Sequence, residues 1–256
     1  MRPAWPALRP SLPRVPARRV ALVAGGALVG IVFAYLVARE TPLFAIRSVQ
    51  IAGVDAQARP QVTEALRSFE GTSLVKIDPG AVEARLRTLP SVLDAKVDRA
   101  FPNTLRVAVE PEQPLAVLRY RTDGWLVSRR GRVIRPFDPS GDARLPRIWT
   151  AAAADLTAGD HVSDANAQVV LRALDDVPER FPLRILAGRT GDDGVTFILS
   201  SGTELRLGTP DDLRVKLAAA QAVLRALSAA RRAELGYLDV SLPERPVVAD
   251  KSQLVR

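Results

Sequence analysis

The sequence predicts an α+β protein that a single N-terminal transmembrane helix attaches to a membrane. Residues 20–38 form one run of apolar and small residues that contains no charge. Residues 44–113 combine strand patterns with two short helical patterns, and strand patterns separated by glycines dominate residues 114–248. This mixture of helical and strand periodicities indicates two folded units outside the membrane.

The apolar run is long enough to cross a bilayer. At about 1.5 Å per residue, residues 20–38 give a helix of roughly 28 Å, close to the thickness of the hydrocarbon core. Every charge before the run is an arginine, so the positive-inside rule keeps residues 1–19, a tail rich in arginine and proline, in the cytoplasm. The rest of the chain is expected outside. A cleaved signal peptide remains an alternative, although signal sequences have shorter apolar regions; a helix buried in a soluble core is the other.

Composition excludes several classes of protein. The formal net charge is +8, but five arginines lie in the tail, which leaves about +3 for the remainder. Without a basic stripe interleaved with aromatic residues, nucleic acid is not an expected partner. The chain has no cysteine, which removes disulfides, thiol chemistry and cysteine metal sites.

The first unit is predicted to follow the order strand, helix, helix, strand, strand. Asp78 is a suitable N-cap for the second helix, and Pro79 suits its first position because the missing N–H would have no helical partner there. Two helices can cover one face of a three-stranded sheet. The elements are expected, in order, at residues 44–51, 60–69, 79–89, 92–97 and 105–109, with Phe101-Pro102-Asn103 as the turn before the last strand.

The second unit is predicted to be rich in strands, with two helices. One helix is expected at residues 164–180. The other, at residues 210–230, is expected to be capped by Thr209 and to carry a regular apolar stripe that packs on the sheet. That stripe consists of Leu213, Leu217, Ala220, Leu224 and Leu227. Strands are expected at residues 115–120, 125–128, 133–134, 183–186, 195–199, 204–207 and 237–240, with a strand-like stretch at 246–248.

Nothing in the sequence points to an enzyme. His161 is the only histidine and lies in a polar loop, so neither a triad nor a histidine metal site is predicted. Paired acids such as Asp175-Asp176 are explained by solvation or helix capping. Trp125 and Trp149 are expected to be packing residues. No catalytic, cofactor or metal site is therefore predicted.

Two stretches carry a resemblance to a known family. The pattern "V…A.V.R.FPNTL.V.V.E..P.A" within residues 91–118 resembles a POTRA domain. A strand ending in Leu-Gly, a helix with Asp-Leu and Lys-Leu pairs, and a following Tyr-Leu-Asp-Val strand resemble the FtsQ/DivIB family of bacterial cell-division proteins. The matching positions are Leu207, Gly208, Asp212, Leu213, Lys216, Leu217, Tyr237, Asp239, Val240, Pro243, Arg245, Pro246 and Val247. One departure is Ser241, where the family often has arginine.

The resemblance implies a function without catalysis. Such proteins cross the membrane once, bind an FtsB/FtsL (DivIC/FtsL) pair outside the cytoplasm and help to recruit septal peptidoglycan synthesis. It also implies that a partner segment adds a strand to the edge of the β-domain near its C-terminal end, which is plausible because an edge strand has unpaired backbone groups. The candidate residues of this edge are Tyr237, Leu238, Asp239, Val240, Ser241, Leu242, Glu244, Arg245, Val247 and Val248.

Pro243 and Pro246 interrupt the candidate edge, because proline has no N–H to donate. They either define where strand addition starts and stops or simply blunt the edge. The sequence leaves both readings open.

The resemblance defines the expected domain organisation and location. Residues 44–113 are the POTRA domain, which is expected to be able to contact other division proteins, and residues 114–248 the β-domain. Residues 249–256 are expected to be a C-terminal tail. The protein is expected in the plasma membrane, with its bulk extracytoplasmic and concentrated at the division septum.

Two other classes of protein are alternatives to this interpretation. A POTRA-containing outer-membrane assembly or transport component needs many barrel strands, and a membrane-anchored cell-wall hydrolase needs a nucleophile or an acid pair.

Overall fold

A computed structural model of the protein describes residues 25–33, residue 35, residues 44–150 and residues 156–253. Within the predicted span of residues 20–38, residues 25–33 are helical and exposed, and the other positions except Tyr35 lie outside the described residues. The predicted cytoplasmic tail, residues 1–19, also lies outside them. In the part of the chain that is described, no helix has the length and apolar character needed to cross a membrane.

The first unit has the predicted order of strand, helix, helix, strand, strand. Its sheet has the order β1-β3-β2, in which β3 is central, parallel to β1 and antiparallel to β2. The elements are β1 (Ser48–Ala52), α1 (Arg59–Arg67), α2 (Pro79–Arg87), β2 (Val92–Ala100) and β3 (Thr104–Pro111). The prediction of an α+β unit is thus confirmed for this part of the chain.

Local sequence explains where the second helix of this unit begins. The Asp78 carboxylate accepts a hydrogen bond of 2.9 Å from the Gly80 N–H, and Pro79 occupies the first turn. Val82 and Leu86 then lie on the inner face of α2 and are fully buried. Leu66 of α1 and Leu105 of β3 belong to the same apolar cluster, so both helices cover one face of the sheet.

Side chains of α2 also cover the outer edge of β2. The Glu83 carboxylate accepts from the Val97 N–H at 3.0 Å, and the Arg87 guanidinium donates to the Ala95 carbonyl at 3.2 Å. Arg87 also pairs with Asp94 at 2.6 Å, and this hydrogen bond lowers the pKa of the Asp94 carboxyl. Backbone groups that another strand could use are therefore occupied, which protects this edge from pairing.

The second unit is built on one nine-stranded sheet with the order β12-β11-β10-β9-β8-β7-β4-β5-β6. Its strands are β4 (Pro114–Tyr120), β5 (Asp123–Ser128), β6 (Val133–Pro136), β7 (Arg147–Trp149), β8 (Ile185–Gly191), β9 (Gly194–Leu199), β10 (Glu204–Gly208), β11 (Leu235–Asp239) and β12 (Val247–Asp250). Its helices are α3 (Pro139–Asp142), α4 (Ala165–Asp175), α5 (Leu213–Ala226) and α6 (Ala229–Glu234), and a 3-10 turn, Lys251–Gln253, follows β12.

One strand of this sheet was not predicted. The strand β7 has only three residues, so it shows no alternation that could identify it. It pairs in parallel with β4 on one side and with β8 on the other, and it thereby joins the two halves of the sheet. Tertiary pairing, and not local pattern, makes Arg147–Trp149 a strand.

The helix expected at residues 210–230 is divided in two. The first part begins at Leu213, since Asp212 has a positive φ of 51° and makes no side-chain cap, which corrects the expected start at Thr209 and Pro210. It ends at Ala226, after which Ser228 caps the short α6 by accepting from the Arg231 N–H at 3.2 Å. The helix expected at 164–180 likewise ends early, at Asp175.

The core of the second unit lies between the sheet and the helices α4 and α5. The predicted stripe of α5 faces it, with Leu217, Ala220 and Leu224 fully buried and Leu227 partly buried. Phe197 of β9 is the largest fully buried side chain in the described residues. On the opposite face of the sheet a smaller cluster joins Val117, Leu126 and Ile134 with Phe137 and Leu145.

We predict that Leu217→Asp unfolds the second unit. Leu217 has no exposed surface, so the new carboxylate is buried without a partner at a cost of about 3 kcal/mol or more. Chemical denaturation of the extracytoplasmic part measures this loss. Val215→Asp is the matched control on the same helix, because Val215 is 55% exposed and its replacement is expected to change stability little. Equal stabilities for the two variants contradict the packing of α5 described above.

Candidate functional site

The residues predicted to form the edge lie in two strands and the turn between them. Tyr237, Leu238 and Asp239 belong to β11, which is parallel to β10 and antiparallel to β12. Both sides of β11 are therefore hydrogen-bonded, and the prediction that these three residues lie at the edge is wrong. At this end of the sheet the edge strand, among the described residues, is β12, which contains Val247 and Val248.

A tight turn brings the chain from β11 back to β12. The Asp239 carboxylate accepts from the Ser241 N–H at 2.9 Å, and the Val240 N–H donates to the Arg206 carbonyl at 2.9 Å. The Arg245 N–H donates to the Leu242 carbonyl at 3.0 Å. Both Pro243 and Pro246 precede β12, so neither interrupts the strand.

Gly208 explains why the turn lies where it does. This residue ends β10 with a positive φ of 67°, and a Cβ added to it would lie 2.8 Å from the Ser241 Cβ. A side chain at position 208 would therefore push the turn away from the end of β10. The Leu-Gly motif found in the sequence thus corresponds to a close approach between two chain segments.

Lys216 of the Lys-Leu pair is structural. It is only 5% exposed, and its ammonium group donates to the Thr209 carbonyl at 2.8 Å and lies 3.4 Å from the Thr209 hydroxyl. These contacts tie α5 to the segment that leaves β10. One buried cation thus joins the helix to the end of β10.

The far end of β12 is also anchored. The Lys251 ammonium donates to the carbonyls of Ser201 and Ala233, both at 2.8 Å. The Asp250 carboxylate pairs with Arg231 of α6 at 3.1 Å. Asp250 and Lys251 are predicted to lie in the C-terminal tail, because the polar ADKSQ stretch carries no signal that β12 continues to Asp250.

Apolar side chains are exposed along this edge. Leu242 in the turn is 64% exposed, and Val247 and Val248 of β12 are 52% and 45% exposed. Glu244 and Arg245, also predicted site residues, are exposed in the turn. The edge therefore offers an unpaired strand backbone together with apolar and charged side chains, a combination suited to binding an extended peptide.

An aromatic residue lies next to the edge on the outer face of the sheet. The Arg206 guanidinium lies 4.3 Å from the ring centroid of Tyr237, which is half-buried. Arg206 also pairs with Glu204 at 3.0 Å, and Glu204 pairs with Arg189 at 3.0 Å. Tyr237 thus contributes to the face beside the edge through its side chain, and not through its backbone.

The other end of the large sheet is covered. Segment 159–162 pairs with the hairpin that contains β6: the Val133 N–H donates to the Asp160 carbonyl at 2.8 Å, and the Gly159 N–H donates to the Val133 carbonyl at 2.8 Å. Two of the four sheet edges in the described residues are therefore covered in part: β6 at Val133, and β2 by side chains of α2. The strand β12 differs from the edges at β2 and β6, because its outer side is unpaired and apolar residues are exposed along it.

Two further predictions concern single side chains. His161 is exposed, as expected, and its backbone forms an isolated bridge with Arg132. Trp149 is predicted to pack, but it is 58% exposed, because β7 directs its side chain away from α4 and α5 to the face with the smaller apolar cluster. In the described part of the chain, no group of three or more histidine and acidic side chains is arranged to hold a metal ion.

Comparison with known proteins gives two family matches. Residues 44–110 match the family model described as "POTRA domain, FtsQ-type". Residues 116–241 match the model described as "Cell division protein FtsQ/DivIB, C-terminal". The second match ends at Ser241, so it includes the strands that support β12 but not β12 itself.

Three similar proteins are each described as cell division protein FtsQ. The chain is 25% identical to the cell division protein FtsQ of Zymomonas mobilis over 206 residues, which is 80% of this chain and 62% of that protein. It is 30% identical to FtsQ of Mycolicibacterium smegmatis over 123 residues, covering 47% of this chain and 37% of that protein. FtsQ of Caulobacter vibrioides is 30% identical over 116 residues, 45% and 38% of the two chains. The chain thus spans less than two thirds of the length of these relatives.

We predict that Gly208→Ala loosens the edge. The new methyl group meets the Ser241 side chain and strains a positive-φ backbone, so we expect a loss of about 1–3 kcal/mol and faster amide hydrogen exchange in β12. Gly71→Ala is the control, since Gly71 has a φ of 78° with no atom within 4 Å of the added Cβ. If both variants lose the same stability and leave exchange in β12 unchanged, the contact with Ser241 does not position the turn.

Proposed function

Because the chain belongs to the FtsQ/DivIB family of cell-division proteins, we propose that it is a non-enzymatic division scaffold whose strand β12 binds an extended segment of a partner. The observation that carries this proposal is the exposed edge of the nine-stranded sheet, with Leu242, Val247 and Val248 exposed beside it. Our proposed partners are FtsB/DivIC-like and FtsL-like proteins that cross the membrane once.

The proposed binding reaction is strand addition. A partner strand alongside β12 gains main-chain hydrogen bonds over four residues, and its own side chains alternate between the two faces of the sheet. Val247 and Val248 lie on opposite faces, so the partner meets an apolar residue on each. Complete burial of such a side chain contributes about 1.5–3 kcal/mol, which is enough for a few residues to dominate the affinity.

The anchored edge favours this mode of binding. Asp239 fixes the turn before β12, and Lys251 fixes the end of the strand. Because the edge is already ordered, only the partner segment loses conformational entropy when it binds. The predicted site residues Val240 and Ser241 act by holding the turn, and Leu242, Glu244 and Arg245 are available to a partner that extends beyond the strand.

We further propose that residues 20–38 anchor the protein in the plasma membrane with its N-terminus in the cytoplasm. Partner binding then takes place outside the cytoplasm, at the septum, and connects assembly of the division complex with septal peptidoglycan synthesis. The first unit is proposed to be available to other members of that complex. The apolar run without charge and the arginines on its N-terminal side support this arrangement.

We predict that Val247→Asp weakens partner binding at least about tenfold, equivalent to roughly 1.4 kcal/mol, and leaves the fold intact. The side chain is half exposed, so a carboxylate there is tolerated in the free protein but is desolvated beneath an added strand. The measurement is calorimetric titration with the extracytoplasmic segment of the FtsB/DivIC-like protein from the same organism. Val215→Asp, exposed on α5, is the control and should bind normally. Unchanged affinity of Val247→Asp removes β12 as the site; a large fall in melting temperature shows that Val247 is a core residue.

We also predict that the mature protein keeps its N-terminal segment. Sequencing the N-terminus of the protein isolated from membranes should give a start before residue 20, because the apolar run is an anchor and not a signal peptide. An alkaline phosphatase fusion after Gln253 should be active, whereas one placed before residue 20 should not. A mature start near residue 39 contradicts the anchor and favours a secreted or outer-membrane POTRA protein.

A further inference from the structure

A second open surface lies on the face of the large sheet opposite the helices α4 and α5, beside the short helix α3. It is a groove of about 390 Å³, lined by Arg119, Phe137, Pro139, Ala143, Arg147 and Trp149. Five inter-strand spacings lie between β7 and β12 in the sheet, and at about 4.8 Å each they place the groove roughly 24 Å from the edge. The groove is therefore distinct from the proposed strand-addition site.

The exposed Trp149 forms one wall of this groove. Trp149 of β7 is in register with Arg119 of β4, so the two side chains project from the same face of the sheet. Arg147 lies two residues before Trp149 and projects from that face too. An indole that is 58% exposed on a central strand forgoes much of the stabilisation that burial of an aromatic side chain provides.

The arginines of the groove differ from other arginines of the same sheet. Arg135 pairs with Asp142 at 2.8 Å, and Arg189 and Arg206 both pair with Glu204 at 3.0 Å. Arg147, by contrast, has no ion-pair partner among the described residues, and the Arg119 guanidinium lies over the Phe137 ring, 5.6 Å from its centroid.

The acidic residues closest along the chain do not neutralise this charge. Asp138 accepts hydrogen bonds from the Ser140 N–H at 3.0 Å and from the Ser140 hydroxyl at 2.5 Å. Both oxygens of Asp142 bind the Arg135 guanidinium at 2.8 Å. No carboxylate is among the lining residues, so the two arginines of the groove have no acidic side chain beside them in its lining.

The lining selects one class of ligand. The arginines and the indole N–H are donors, and the other lining side chains are apolar, so the groove has no side-chain acceptor. A sugar would find no side-chain acceptor in the groove for its hydroxyl donors and no use for the two positive charges. A bare phosphate polymer would leave the apolar walls unused. A carboxylate next to an apolar side chain satisfies both parts of the lining.

We propose that the Arg119–Trp149 groove binds a short acidic segment of a partner protein in which an Asp or Glu stands next to an apolar residue. The carboxylate pairs with the guanidinium of Arg147, and the apolar side chain packs on Trp149 and Phe137. The groove gives the protein a second docking point that works by charge and aromatic contact, whereas β12 works by main-chain pairing.

The experiment follows the side-chain indole signals of the full-length, ¹⁵N-labelled protein in lipid nanodiscs. Trp149→Phe assigns the Trp149 signal, and the Trp125 signal reports on folding in every variant. The probe is the peptide Ac-Glu-Leu-Glu-Leu-NH₂, with Ac-Gln-Leu-Gln-Leu-NH₂ as the neutral control. We expect the Glu peptide to shift the Trp149 signal saturably and the Gln peptide to leave it in place. Arg147→Gln should weaken binding about tenfold, as expected for the loss of one charge-assisted contact, and Arg189→Gln, the matched control, should not.

Several results would overturn the proposal. These are the same shift with both peptides, an unchanged affinity of Arg147→Gln, or no saturation by about 10 mM peptide, a limit ten times weaker than millimolar affinity. Saturable binding of N-acetylglucosamine or inorganic polyphosphate in place of the peptide assigns the groove to a glycan or a phosphate polymer. The Val247→Asp chain should bind the peptide normally; if it does not, the peptide occupies β12 and the groove has no role.

Discussion

The packing of α5 on the sheet is the constraint on which the rest of the second unit depends. Leu217, Ala220 and Leu224 have no exposed surface and hold the helix over the strands that precede and follow it. Because α5 and α6 connect β10 with β11, this packing makes the two strands parallel neighbours. β12 can then return only on the far side of β11. The candidate edge is thus a consequence of how one helix is buried.

The sheet edges of the described residues differ in how far other parts of the chain cover them, and this difference bears on function. Glu83 and Arg87 occupy backbone groups of β2, and segment 159–162 covers the hairpin of β6. Covering of this kind is how proteins avoid unwanted strand pairing. An edge that carries three exposed apolar side chains in place of such protection is consistent with a surface that a partner covers.

Much of the fold could be predicted from the sequence because its signals are local. Asp78-Pro79 marks a helix start, and the alternation in Leu105, Val107 and Val109 marks a strand, and both are confirmed. The short β7 has no such signal, since only its pairing with β4 and β8 defines it. The exposure of Trp149 was missed for the same reason. The edge itself was predicted only in part. Both β11 and β12 have strand character in the sequence, but which of them is outermost depends on the packing of α5, which brings β11 beside β10.

The anchoring of β12 at both ends has a kinetic consequence. The Asx turn at Asp239 and the two hydrogen bonds of the Lys251 ammonium hold the strand in one conformation before any partner arrives. In the strand addition proposed above, the partner segment would meet a strand that is already ordered. Its capture would then need no opening step in this protein, and the rate would depend on encounter and on how fast the arriving segment becomes extended. Dissociation can proceed residue by residue from either end of the added strand. After such a dissociation β12 would keep its conformation, because its two anchors lie within this protein.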